Sequence, residues 1–132
     1  MNDRDDGFIP LIGLETSDRG DGTARNELAV ARQHLNPHGV LHGAVLYAMA
    51  DTGMGAALYT KLDEAESCAT IEVKMVYLAP VADGRLVCDT TLVHRSRRIA
   101  TLESEVRNVR PDGTERLAGK ALGTFAIFER RA

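Results

Sequence analysis

The chain has no tryptophan, only two cysteines and four prolines, and aromatic side chains make up 5% of its 132 residues. Cys68 and Cys88 stand alone and far apart, which excludes a disulfide framework and the paired spacing of a zinc site. They read as reduced, inert thiols of a cytoplasmic protein. No apolar run is long enough to cross a bilayer. The opening residues Met1 to Asp6 are polar and acidic, unlike a secretory signal, and residues 1 to 7 read as a frayed tail. The net charge of -3 gives no general ground for expecting nucleic acid or an anionic membrane as a partner. The length suits one domain spanning residues 1–132.

One segment has helical character. Leu41, Val45, Ala48, Met49, Thr52, Ala56 and Tyr59 recur at three and four residues. Gly43, Ala44, Ala50, Gly53, Gly55 and Ala57 crowd the same stretch. Each glycine costs a helix about 1 kcal/mol relative to alanine, so this density predicts a helix pressed closely against other backbone. Asn36-Pro37-His38-Gly39 breaks the chain before it, and the charged run from Lys61 ends it.

Most of the remainder reads as strands. Phe8 to Leu14 suggests a helical turn leading into a strand, Asp18 to Gly22 a turn, and Thr23 to His34 a strand that fits only loosely. Ala69, Ile71, Val73, Met75 and Tyr77 alternate with polar residues, which predicts one buried face. Strands follow at Leu86 to His94, around Ala100 to Val106, and at Leu117 to Phe128, separated by Asp83-Gly84, Arg95 to Arg98 and Pro111-Asp112-Gly113. A single helix cannot cover both faces of a parallel sheet. One antiparallel sheet wrapped round one long central helix, an α+β architecture, is the simpler solution.

Two residues of the helix invite chemistry. Asp51 sits mid-helix among apolar and small residues, where a carboxylate is costly to bury unless paired or used. Its neighbours at three and four residues, Tyr47, Ala48, Met54 and Gly55, offer no cation. An exposed position on the solvent side of the helix is the alternative. Gly43 lies at the helix start, where the first N–H groups lack helical acceptors and share the positive end of the dipole. A glycine there lets a carbonyl oxygen approach closely and fits an oxyanion donor, although a plain helix start is common.

Asn36-Pro37-His38-Gly39-Val40-Leu41-His42-Gly43-Ala44, followed by Asp51, resembles the signature of hotdog-fold thioesterases of the phenylacetate-pathway (PaaI-like) type. In that pattern an Asn precedes a Gly, then His-Gly-Gly, then an Asp eight residues after the first paired glycine. Here Ala44 replaces the second glycine. Val76-Tyr77-Leu78-Ala79-Pro80 and Gly123-Thr124-Phe125 also resemble the family, and the likeness runs over residues 8 to 128. It implies a hotdog fold and hydrolysis of an acyl-CoA thioester without a metal or other cofactor. Asp51 would be base or nucleophile, and the Gly43 amide would polarise the carbonyl. Asn36 would hold substrate or water, with Thr70 assisting from the next strand. His42 would line the substrate region and shape the helix start.

Gly43 and Asp51 lie about 12 Å apart along a helix rising 1.5 Å per residue. One helix therefore cannot bring both to one carbonyl, whereas antiparallel helices of a twofold dimer can. The resemblance implies such a homodimer, often paired into a tetramer. Arg97 and Arg98, with Arg95 beside them, are candidates for CoA phosphates, the alternative being a solvated hairpin. His34, His38 and His42 recur at four residues, but Pro37 and Gly39 interrupt the helix that a metal face would need. Two rival functions remain. Hotdog enoyl-CoA hydratases carry Asp-x-Asn-Pro-x-His, where this chain has His34 and Gly39 at the two catalytic positions. A non-catalytic acyl-CoA-binding module has no use for Asp51.

Overall fold

The computed structural model describes residues 7–131, so the expected terminal tail lies outside the described residues except for Gly7. A helical turn α1 (Phe8–Leu11) precedes the hairpin β1 (Glu15–Gly20) and β2 (Thr23–Ala29). A 3-10 turn (Arg32–His34) leads to the long helix α2 (Gly43–Tyr59). Four strands follow: β3 (Glu66–Tyr77), β4 (Arg85–Arg95), β5 (Ile99–Val109) and β6 (Glu115–Glu129). They complete one antiparallel sheet of order β1-β2-β4-β5-β6-β3. The sheet wraps round α2, as expected of the α+β hotdog arrangement.

The expected turn over Asp18 to Gly22 is shorter than its composition suggests. Asp18, Arg19 and Gly20 belong to β1, and only Asp21 and Gly22 turn, both with positive φ (53° and 79°). A two-residue turn with both φ values positive matches the twist of an antiparallel hairpin. The loose pattern of β2 also has a cause: its buried face is Ala24, Asn26 and Leu28, with a polar residue in the middle.

Helix α2 starts at Gly43, not Leu41. Leu41 instead bridges to Leu35, and its N–H donates to Val81 O. Ten of the seventeen helical residues are buried, among them Met49, Ala50, Met54, Ala57 and Leu58. Gly53 shows why side chains are trimmed: a Cβ built there would lie 2.6 Å from Thr90 Oγ1 and 3.1 Å from Asn26 Nδ2. Beneath it Asn26 donates to Met49 O at 2.9 Å, and the Thr90 and Ser104 hydroxyls pair at 2.6 Å. Asn26 Oδ1 has no partner among the described residues, a burial that ordinarily costs about 1–3 kcal/mol. Burial of Cys88 in this layer raises its thiol pKa to about 11.

On β3 the buried face departs from the expected one at Ala69, Ile71 and Tyr77, which are exposed. A bulge between Thr70 and Glu72 inserts Ile71 opposite β6 and reverses the phase of the strand. Cys68 precedes the bulge and Val73 and Met75 follow it, yet all three pack on the core. Ile71 and Tyr77 remain 55% exposed. The expected alternation on β5 holds, with Ala100, Leu102, Ser104 and Val106 all buried.

Candidate active site

The start of α2 is capped by a side chain. Nδ1 of His42 accepts the Ala44 N–H at 3.0 Å, and Val45 N–H reaches His42 O, also at 3.0 Å. Gly43 N–H is left without an acceptor among the described residues. It is an outward-pointing donor at the positive end of a seventeen-residue helix. Because His42 Nδ1 accepts, its neutral ring carries the proton on Nε2.

Tyr77 was not among the expected site residues. Its ring covers Gly43: a Cβ on Gly43 would meet ring atoms at 3.0 Å, and the phenol donates to Gly43 O at 2.9 Å. The glycine is thus required by a neighbour as well as by any approaching oxygen. Tyr77 stands in the segment that carried the downstream resemblance, and that was the one available signal. A cleft of about 540 Å³ opens here, lined by Val40, Leu41, Gly43, Tyr77, Leu78 and Pro80 among others.

Asp51 lies two turns further along the helix, half-buried. Thr70 Oγ1 donates to its Oδ1 at 2.7 Å. No lysine, arginine or histidine forms an ion pair with it among the described residues. The Thr70 contact exists because the bulge at Ile71 keeps Thr70 on the inner face. Cys68 is close by; burial raises its thiol pKa, partly opposed by a hydrogen bond with Tyr59, and the Asp51 charge adds to the rise. The carboxylate holds one directional donor and leaves its second oxygen free to accept a proton.

Asn36 Oδ1 accepts from His38 N–H at 2.8 Å and Val40 N–H at 3.4 Å, which commits its oxygen to the loop before the helix. Both ring nitrogens of buried His34 are engaged: Nδ1 accepts from Ala31 N–H at 2.9 Å, and Nε2 then donates to Ile12 O at 2.6 Å. The three histidines of the apparent metal spacing therefore do not act as one set. Arg95 grips both oxygens of Glu66 at 3.1 Å, which holds the Glu66 carboxyl below its ordinary pKa. Arg97 and Arg98 line a cleft shared with Asp63, Glu66 and Glu129, so carboxylates surround these two candidates for phosphate binding.

The helix face carrying Asp51 is uncovered. Tyr47 and Tyr59, one turn before it and two turns after it, are each 40% exposed. Beside this face runs β3, an edge strand of twelve residues with Ile71, Val76 and Tyr77 in the open. The opposite edge, β1, is short, bulged and charged, the usual protection of a free edge. Strand β3 lacks that brevity and presents apolar side chains.

The sequence model of the thioesterase superfamily matches residues 38–114. That stretch holds Gly43, Asp51, Thr70 and Tyr77, while Asn36 lies just before it. The conserved protein PA5202 of Pseudomonas aeruginosa is 35% identical, with a TM-score of 0.82 over 91% of this chain and 92% of that one. A variant of the phenylacetic acid degradation protein PaaI of Thermus thermophilus is 30% identical, with a TM-score of 0.80 over 92% of this chain and 98% of that one. Thioesterase HI1161 of Haemophilus influenzae, at 23% identity and a TM-score of 0.83 over 92% of this chain and 82% of that one, shares the fold.

Proposed function

Because the chain belongs to the thioesterase superfamily, we propose that it is a single-domain cytoplasmic acyl-CoA thioesterase whose active site forms between two subunits. The observation that carries this reading is the half-buried Asp51, without an ion-pair partner among the described residues and held by the Thr70 hydroxyl at 2.7 Å. A carboxylate in that state is able to take a proton from water or to attack a carbonyl.

The second group is the Gly43 N–H, which has no acceptor among the described residues. Within one unbroken helix it lies about 12 Å from Asp51 along the axis, too far to serve the same carbonyl. Antiparallel packing of two copies across the open β3 edge sets Gly43 of one subunit against Asp51 of the other. The uncovered stripe of α2 then becomes part of the interface. Two such dimers join as a tetramer.

In the reaction, the Gly43 amide hydrogen-bonds the thioester oxygen as it gains negative charge. Asp51 either deprotonates a water that adds to the carbonyl carbon or itself adds to that carbon, and in the second case water opens the mixed anhydride left after the thiolate departs. Collapse of the tetrahedral species breaks the carbon–sulfur bond and releases CoA as a thiolate, which takes up a proton. Thr70 fixes the rotamer of Asp51, and Tyr77 fixes the carbonyl side of the Gly43 peptide. The test is hydrolysis of an acyl-CoA panel followed by free-thiol release, with Asp51→Ala in parallel. Thiol release by Asp51→Ala at the rate of the parent protein would sink the assignment.

A further inference from the structure

Beyond the Asp51 end of the site, a second cleft of about 610 Å³ lies at the C-terminal end of α2. Arg19, Arg130 and Arg131 line it together with Tyr59, Ser67 and Phe128. Among the described residues no carboxylate lines it, and none of the three arginines forms an ion pair. In a chain whose net charge is -3, three guanidinium groups gathered with no counter-ion among the described residues form a local excess of positive charge. They come from two places: Arg19 from β1, and Arg130 and Arg131 from the residues just after β6. Arg130 is anchored, its Nε donating to Glu66 O at 2.9 Å. The Tyr59 and Ser67 hydroxyls pair at 2.9 Å on the wall of the same cleft.

Guanidinium forks match the oxygens of phosphate better than any other side chain, and several together suit a ligand with several phosphoryl groups. Arg97 and Arg98 differ in that Asp63, Glu66 and Glu129 share their cleft and offset their charge. The position also fits the reach of the substrate. Tyr59 lies about 12 Å beyond Asp51 along the helix axis, a span that an extended pantetheine arm covers. Midway between them is Gly55, where an added Cβ would meet nothing nearer than Phe125 at 4.0 Å, so no side chain of the same subunit fills the helix surface there.

We propose that Arg19, Arg130 and Arg131 form the site for the phosphate groups of the CoA nucleotide, while the thioester lies against Asp51. This rests on the acyl-CoA reading above and adds to it the choice of carrier. All three arginines fall outside residues 38–114, the stretch matched by the superfamily.

The test compares one acyl group carried on CoA, on 4′-phosphopantetheine and on N-acetylcysteamine, using the full-length protein. Arg130 is left in place because its hydrogen bond to Glu66 O supports the fold. The Arg19→Gln/Arg131→Gln variant should lower kcat/KM on the CoA ester about tenfold more than on the N-acetylcysteamine ester, the loss residing in KM. Lysine at both positions should recover part of it. Equal losses on the two esters, or no loss, overturn the proposal. So does an equal loss on the phosphopantetheine ester, which would mean that one phosphate and not the nucleotide is read. A loss found in Arg97→Gln/Arg98→Gln and absent here assigns the phosphates elsewhere. If the parent protein hydrolyses no CoA ester, the activity reading fails, and calorimetry with adenosine 3′,5′-bisphosphate still decides the cleft. Binding lost in the double variant supports it, and no binding by the parent overturns it.

Discussion

The Thr70 hydroxyl donates a 2.7 Å hydrogen bond to Asp51 across nineteen residues of sequence, joining strand β3 to the middle of α2. It is the one side-chain hydrogen bond to this carboxylate among the described residues, and it orients one oxygen while leaving the other available.

Replacing Asp51 by Asn keeps the shape and the hydrogen bond but removes the basic oxygen. The expected loss in kcat is at least about a hundredfold, the usual scale for a general base. Thr70→Val should cost less, about tenfold, since it removes one hydrogen bond to a charged group and leaves the carboxylate in place. Steady-state hydrolysis with both variants, checked for fold by circular dichroism, ranks the two effects. The reverse order would mean that Thr70 has a role other than orientation.

Subunit complementation tests the composite site. Gly43→Val drives a side chain into Tyr77, whose ring already lies 3.0 Å from a Cβ at that position. Mixed with Asp51→Asn chains after unfolding and refolding, it forms heterodimers with one intact site of two. Random pairing should restore about a quarter of the parent activity. No recovery in heterodimers verified by mass spectrometry would show that each chain works alone.

Gly53 carries a prediction about stability. Alanine there would place a methyl group 2.6 Å from Thr90 Oγ1, whose hydroxyl is fixed by Ser104. Overpacking of this kind costs about 1–3 kcal/mol. Urea denaturation should show a lower midpoint for Gly53→Ala, and adding Thr90→Ala should return part of it by making room. An unchanged midpoint in Gly53→Ala would mean that the helix shifts freely over the sheet.

The Arg95 and Glu66 pair sets a pH dependence. Arg95 lowers the Glu66 pKa from its ordinary 4.5, so the ionised form is favoured in the folded state. A depressed carboxyl contributes stability that is present above its unfolded pKa and lost as pH falls through its folded value. Arg95→Gln should therefore lower Tm at neutral pH, and the difference from the parent should shrink as the solution is acidified below 4.5. A difference that persists at acid pH would trace the effect to packing and not to charge.

The helix and Asp51 were legible in the sequence because their signals are local: small residues, helical spacing and a carboxylate without neighbours. The sheet was legible where alternation and turn residues agreed, as on β5. Strand β3 was read correctly at Val73 and Met75 but misread at Ala69 and Ile71, because its bulge is defined by pairing with β6, which no local pattern reveals. Tyr77 was missed as a cover for Gly43 because the two are brought together by the curl of the sheet round the helix. Arg19, Arg130 and Arg131 escaped notice for the same reason: they adjoin only after β1 and the end of β6 close on the C-terminal end of α2. The Arg95 to Arg98 cluster, by contrast, was conspicuous as a run, yet its neighbours in space are acidic.

The unprotected margin of β3 has a consequence for how the molecule must be handled and made. A lone copy exposes a row of amide and carbonyl groups able to recruit any extended peptide, so the unassembled species is the one prone to aggregate. Assembly that closes this margin ties folding to mass action, and melting temperature should climb with protein concentration. Dilution, not heat alone, then becomes a route to losing the native state.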